Sequence, residues 1–133
     1  MRKTGTLVLV FLLMCTGYAW ALSEVSNFPN PFNPLSGDSA LNKTIITYAL
    51  DQDAKVTIYI YSLTGDLVRT MEFAAGTEGG KGNTGGYKNR VTWNGRNGDG
   101  LVAANGTYIC KIVSEPADGG NSSKAIRKIT VLK

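Results

Sequence analysis

Val56-Thr57-Ile58-Tyr59-Ile60-Tyr61 alternates β-branched aliphatic residues with threonine and tyrosine. Period two in such residues describes a half-buried β-strand, with Val56, Ile58 and Ile60 turned to a core and Thr57, Tyr59 and Tyr61 turned away. Upstream, Ile46, Tyr48 and Leu50 alternate in the same way, and Asp51-Gln52-Asp53-Ala54 reads as the turn of a hairpin joining the two strands. Downstream, Leu63-Thr64-Gly65-Asp66 is a second tight turn, followed by a strand over Leu67–Phe73. Residues 90–94 place Val91 and Trp93 on one face. Residues 107–114 alternate at length, and residues 125–132 form a last strand. No segment beyond the first 21 residues repeats its apolar positions at helical spacing. Short strands with turn signals roughly every 8–12 residues predict an all-β chain folded as a sandwich.

The 133 residues suffice for one domain. Arg2 and Lys3, the apolar run at residues 7–14 and the small-x-small site Ala19-Trp20-Ala21 have the order of an export signal cleaved after Ala21. The run is shorter than the ~20 apolar residues of a membrane-spanning helix, so no stable span is expected once the signal is gone. Met14 ahead of Cys15 is too large for a lipoprotein site, and Gly5-Thr6-Leu7-Val8 lacks the glutamate of a pilin start. With Cys15 removed, Cys110 is the sole cysteine and no internal disulfide can form; in Tyr108-Ile109-Cys110-Lys111-Ile112 it reads as a small buried hydrophobe. Loss of Arg2 and Lys3 lowers the net charge from +4 to +2, with the charges interspersed, so a nucleic-acid partner is not expected.

The chain has no histidine, which removes Ser-His and Cys-His nucleophile pairs and every His-bearing zinc site. Residues 76–86 hold six glycines and read as a flexible hairpin loop of little order and no function. A phosphate loop would need Gly at position 75 and a hydroxyl residue at 82, where Ala75 and Gly82 stand. Asn94-Gly95-Arg96-Asn97-Gly98-Asp99-Gly100 puts Arg96 or Leu101 where a calcium loop needs an oxygen ligand, and so reads as a turn. No catalytic residue, cofactor, metal or small-molecule substrate is expected. Asn42, Asn105 and Asn121 lie in Asn-x-Ser/Thr sequons, which matter only in a host that glycosylates exported proteins.

Phe28-Pro29-Asn30-Pro31-Phe32-Asn33-Pro34 precedes the strands. Its prolines fix an extended backbone of low entropy, and Asn30 and Asn33 suit bonds to nearby backbone that close turns. Thereafter come Thr44-Ile45-Ile46-Thr47-Tyr48-Ala49-Leu50, Gly65, Val68-Arg69, Trp93-Asn94-Gly95, Gly100, Asn105-Gly106-Thr107-Tyr108 and Arg127-Lys128-Ile129-Thr130-Val131-Leu132-Lys133. In that order and spacing the chain resembles the FlgD Ig-like domain family, and equally the type A C-terminal sorting domain of type IX secretion. The resemblance spans about residues 28–133 and implies a single Ig-like antiparallel β-sandwich of about seven strands. It makes Pro29, Asn30, Pro31, Phe32, Asn33, Pro34, Gly65, Trp93, Gly95, Gly100, Gly106 and Tyr108 the family motif, with Trp93 a core aromatic and the glycines at turns.

The expected organisation is a signal peptide at 1–21, a short linker with the Pro-rich lead-in at 22–43, and the domain at 28–133. Two features depart from the family pattern: Trp93 is followed by Asn94 where aspartate is usual, and the 76–86 loop is long. Only residues 22–27 separate the signal from the motif, so a hook-capping role is not expected. The resemblance implies a non-enzymatic exported protein of the extracellular space or outer cell surface. Its partner would be a secretion machine or another surface protein, with the strand end carrying Lys128 and Lys133 as the sorting tail. The alternative is a structural Ig-like subunit of an extracellular or cell-surface assembly.

Overall fold

The period-two segments become strands of two antiparallel sheets. The structure, a computed structural model, describes residues 22–83 and 85–133; the signal peptide, its cleavage site after Ala21, and Cys15 lie outside the described residues. Seven strands follow in order: β1 Leu22–Phe28, β2 Thr44–Leu50, β3 Ala54–Ser62, β4 Leu67–Phe73, β5 Asn89–Trp93, β6 Gly106–Pro116 and β7 Ser123–Val131. One sheet has the order β1-β2-β5 and the other β4-β3-β6-β7. The all-β Ig-like sandwich expected from the sequence is the architecture found. Among the described residues no helix is long and apolar enough to cross a membrane.

The core lies between the sheets. Ile46, Tyr48 and Leu50 of β2 and Val91 and Trp93 of β5 face Val56, Ile58 and Ile60 of β3, Cys110 and Ile112 of β6, and Ile129 and Val131 of β7, all buried. Thr57 is buried as well, on a face expected to be turned outward.

Pairing differs from expectation at two connections. The 51–54 turn does not close a hairpin: β2 belongs to the first sheet and β3 to the second, so their apolar faces meet across the core. The 76–86 loop likewise crosses between sheets, from β4 to β5. A two-faced strand satisfies its pattern equally well beside its neighbour or opposite it, so period two cannot choose. The 63–66 turn and the turn after Pro116 do close hairpins, β3 to β4 and β6 to β7.

The start of the 22–43 stretch is strand rather than linker: β1 pairs with β2 from Leu22↔Leu50 to Phe28↔Ile45. A bulge between Ser23 and Ser26, with Glu24 at φ 52°, sets the inward residues Leu22 and Val25 three apart. That extra residue breaks the alternation by which a strand is recognised.

The glycine-rich loop is also ordered, contrary to expectation. Tyr48 is fully buried and its hydroxyl donates to the Gly79 carbonyl at 2.6 Å. Asn89, also fully buried, accepts from the N–H groups of Gly79 and Lys81 at 3.0 and 3.1 Å and donates to the Lys81 carbonyl at 2.8 Å. The Ala54 N–H donates to the Gly80 carbonyl, and Asp53 accepts from the Gly82 N–H at 2.8 Å, so the loop braces the 51–54 corner. Gly80 has no room for a side chain: a Cβ there would lie 2.4 Å from the Ala74 carbonyl oxygen and 2.5 Å from that of Ala54. Glycine serves here for close backbone approach rather than for mobility.

Candidate functional site: the motif cluster and the C-terminal strand

Asn30, Phe32, Trp93 and Tyr108 of the motif meet near the end of the last strand. Pro29 and Pro34 are buried and Pro31 is exposed. Phe32, buried, meets Trp93 edge-on at 5.7 Å between ring centroids, and Trp93 meets Tyr108 edge-on at 5.5 Å, the geometry aromatic quadrupoles favour. The Trp93 indole N–H donates to the Arg96 carbonyl at 2.9 Å, and the Tyr108 hydroxyl to that of Ala104 at 2.6 Å. Both polar handles are thus satisfied by the loop that follows Trp93. Pro34 rests on Gly95, whose φ is 75° and where a Cβ would stand 2.5 Å from the proline ring. This pairing explains a glycine after Trp93-Asn94 on two counts, conformation and space.

Gly65 and Gly100 sit in the turns expected of them, each donating its N–H back three residues, to Ser62 and Asn97. Gly106 opens β6. Asn33 closes a local turn, accepting from the Leu35 N–H at 2.9 Å. Asn97 accepts from the N–H groups of Asp99 and Leu101, both at 2.9 Å, so its oxygen is committed to the turn. Among the described residues no group of three or more His, Cys, Asp or Glu side chains comes together to hold a metal.

Asn30 departs from the local role expected of it. Its side chain accepts from the Thr130 N–H at 2.8 Å and donates to the Lys128 carbonyl at 3.0 Å, reaching about a hundred residues along the chain. Phe32 continues the contact as a parallel bridge to Val131: its N–H donates to the Thr130 carbonyl at 3.1 Å and its carbonyl accepts from Leu132 at 3.0 Å. The Lys133 N–H then donates to the Asn105 side chain at 2.8 Å. The lead-in therefore covers the outer edge of β7 at its C-terminal half. Nothing local in Asn30-Pro31-Phe32 reports this, because the partners lie at the other end of the sequence.

β7 is the edge strand of its sheet. Lys124, Arg127 and Lys128 are exposed along it, and Lys133 is exposed just past its end. Arg127 is engaged, its guanidinium donating to the carbonyls of Val25 at 3.2 Å and Ile126 at 2.8 Å. The ion pairs of the described residues, Lys55–Glu72 and Lys88–Glu24, lie elsewhere, so Lys124, Lys128 and Lys133 project as uncompensated cations.

Cys110 is a buried free thiol, and burial pushes its pKa up to about 12 against a smaller opposing effect of Arg127. A thiol held neutral in the core is a packing residue. Asn89 and Tyr48 were not legible as anchors of the glycine loop. The one available signal was an asparagine in phase with Val91 and Trp93, a polar side chain turned into the core and therefore in need of partners.

Residues 33–118 match the family model of the FlgD Ig-like domain. No curated protein matches the sequence. Among solved structures, dimeric latent PorU from Porphyromonas gingivalis is similar at TM-score 0.63 and 21% identity, over 87% of this chain and 10% of PorU. FlgD from Xanthomonas campestris, described for hook capping in flagellar assembly, is similar at TM-score 0.53 and 16% identity, over 82% of this chain and 67% of FlgD. PorZ of Porphyromonas gingivalis, described as an essential surface component of the type IX secretion system, has TM-score 0.46 and 22% identity, over 83% of this chain and 12% of PorZ. The chain spans about a tenth of the length of PorU and of PorZ. With about two thirds of the chain matched by its model, the chain belongs to the FlgD Ig-like domain family.

Proposed function

We propose that the protein is a non-enzymatic, exported module that acts in type IX-type secretion or cell-surface attachment, with β7 as the element its partner reads. The observation that carries this reading is the presentation of β7. It is an edge strand with two uncompensated lysines and a third just past its end, and its terminus is held in place by Asn30, Phe32 and Asn105 rather than left to fray. With its C-terminal half already paired to the lead-in, the strand offers a partner its exposed cations rather than a free edge. The motif order from Pro29 to Lys133 supports the same reading.

The test is export of a passenger. Residues 22–133, which include β1, are fused to the C-terminus of a neutral periplasmic reporter in a host with type IX secretion. The reporter reaches the surface or medium. Replacing Lys128 and Lys133 with glutamine leaves the fold intact, since both are exposed, and lowers export. A folded, stable reporter that remains in the periplasm would refute the sorting role.

A second reading is a structural Ig-like interaction subunit of an extracellular or cell-surface assembly. One observation favours it: Pro31, Phe32, Leu41 and Leu132 form an apolar concavity of about 210 Å³ beside the contact between the lead-in and β7. In that case the intact domain persists outside the cell in complex with a partner, and the Lys128 and Lys133 replacements leave its export unchanged.

A further inference from the structure

The sheet β4-β3-β6-β7 buries one face in the core and presents the other outward. On the outer face the registers place Tyr59 and Tyr61 of β3 beside Lys111 and Ile109 of β6, and these in turn beside Ile126 and Lys128 of β7. Tyr59 and Tyr61 lie close to parallel, their ring centroids 6.1 Å apart at 26°. The hydroxyl bonds of the described tyrosines belong to Tyr48, Tyr87 and Tyr108, so the hydroxyls of Tyr59 and Tyr61 are left to solvent. An aromatic body with a wet polar tip is the kind of side chain that settles at a membrane–water interface. Ile126 is 57% exposed and stands between Lys124 and Lys128 on the same face.

The charges of this face are unevenly spread. Lys111, Lys124 and Lys128 have no carboxylate partner among the described residues. The carboxylates stand at the margins. Glu72 pairs with Lys55 at 3.5 Å and Glu115 lies opposite Lys55 in register, together at one end of the sheet. Asp66 sits in the 63–66 turn, where it accepts from the Thr64 hydroxyl at 3.0 Å. The two rows that run from Tyr59 to Ile126 and from Tyr61 to Lys128 therefore hold cations and no carboxylate. The long apolar stems of these lysines let their ammonium groups reach past Ile126.

The shape of the face selects among anionic partners. None of the principal concavities of the molecule is lined by Tyr59, Tyr61, Ile109, Lys111 or Ile126, so the face offers no groove. β3 and β6 are paired on both sides, so an extended peptide finds no backbone group to bond. Four strands about 4.8 Å apart, with about five residues along each, cover on the order of 300 Å². A stable complex with a folded protein buries about 800 Å² on each partner. A flat, small platform of tyrosine, isoleucine and lysine suits a partner that is itself flat, extended and negatively charged.

We propose that this face docks on an anionic membrane surface. Tyr59, Tyr61 and Ile126 settle at the level of the headgroups, and Lys111, Lys124 and Lys128 lie against lipid phosphates. This deepens the attachment role proposed above, on which it rests, by naming the lipid surface as what the protein attaches to.

The test is co-sedimentation of the protein, as recovered from the exporting host, with two kinds of vesicle. One is phosphatidylcholine containing about 30% phosphatidylglycerol, and the other is phosphatidylcholine alone. The protein binds the anionic vesicles and not the neutral ones, and binding weakens as salt is raised. Lys111→Gln and Lys124→Gln each lower partitioning about fivefold. Replacing Tyr59 and Tyr61 with serine lowers it at unchanged charge, which cations acting alone would not do. Lys124 is exposed, so Lys124→Gln retains the thermal midpoint and remains a fair test if the tyrosine variant is destabilised. Four outcomes overturn the proposal: equal binding to both vesicles, displacement from the vesicles by inorganic phosphate, partitioning unchanged in both lysine variants, or tighter binding to polyglutamate than to the anionic vesicles. The last would identify an acidic polypeptide as the partner. Vesicle binding involves no secretion step, so a protein that carries its passenger out yet ignores vesicles overturns this proposal and leaves the sorting role standing.

Discussion

The side chain of Asn30 holds the backbone of Thr130, accepting its N–H at 2.8 Å while donating to the Lys128 carbonyl at 3.0 Å. A single carboxamide thereby takes the place of a neighbouring strand along the outer edge of β7. Asn30→Ala leaves one donor and one acceptor to water at a partly exposed edge and is expected to cost about 1–2 kcal/mol in urea unfolding. Asn30→Asp keeps the acceptor for Thr130 and loses only the donor, so it costs less. Hydrogen exchange at the Thr130 amide accelerates strongly in the alanine variant and weakly in the aspartate variant. Equal exchange in both would contradict the clamp.

Trp93 carries two separable contributions, its packing between Phe32 and Tyr108 and its indole donor to Arg96. Trp93→Ala is expected to cost about 3–5 kcal/mol, a large share of a domain's stability. Trp93→Phe keeps most of the packing and should cost about half as much, mainly through the lost bond and the smaller ring. Fluorescence of the folded protein should show the blue-shifted emission of a buried indole; emission typical of full exposure would exclude this placement.

Asn89 satisfies three backbone groups of the glycine-rich loop while fully buried. Asn89→Ala orphans them and is expected to cost about 3 kcal/mol or more. Gly80→Ala places a methyl group against the Ala74 and Ala54 carbonyls and should be comparably damaging. Excising the loop for a two-residue turn is therefore destabilising. A shortened variant as stable as the parent would show that the loop does not brace the 51–54 corner.

Burial raises the Cys110 thiol from its ordinary 9.0 to about 12, so the fold favours the neutral form. Burial raises the Tyr48 hydroxyl in the same direction. A folded pKa above the unfolded one contributes stability that is fully present below about pH 9 and is lost as pH rises toward the folded value. The urea midpoint should hold steady from neutral pH to about pH 9 and fall beyond it, and the fall should be smaller in Cys110→Ala. At neutral pH a thiol reagent should modify Cys110 only under unfolding conditions; rapid labelling of the native protein would show that the thiol is accessible.

The elements themselves were legible without the fold. Alternation located β2, β3, β5, β6 and β7, and the turn at 63–66 placed β4; for β2, β3 and β5 it also gave the apolar face, because a period of two is written in adjacent residues and needs no knowledge of the partner. Trp93 as a core residue followed from its phase with Val91, and Asn33, Gly65 and Gly100 followed from the local backbone that a tight turn demands. What tertiary structure alone decided was partnership. Whether β2 lies beside β3 or across the core from it depends on where β1, β5 and β6 settle, since the same apolar face is buried in both arrangements. The bulge at Glu24 hid β1 by shifting its period, and only pairing with β2 restores it. The glycine loop looks unconstrained in sequence because its anchors, Tyr48 and Asn89, lie outside it. Asn30 and Thr130 meet for the same reason: a hydrogen bond between residues a hundred positions apart leaves no local mark, and exists only once two sheets have packed and brought the start of the domain against its end.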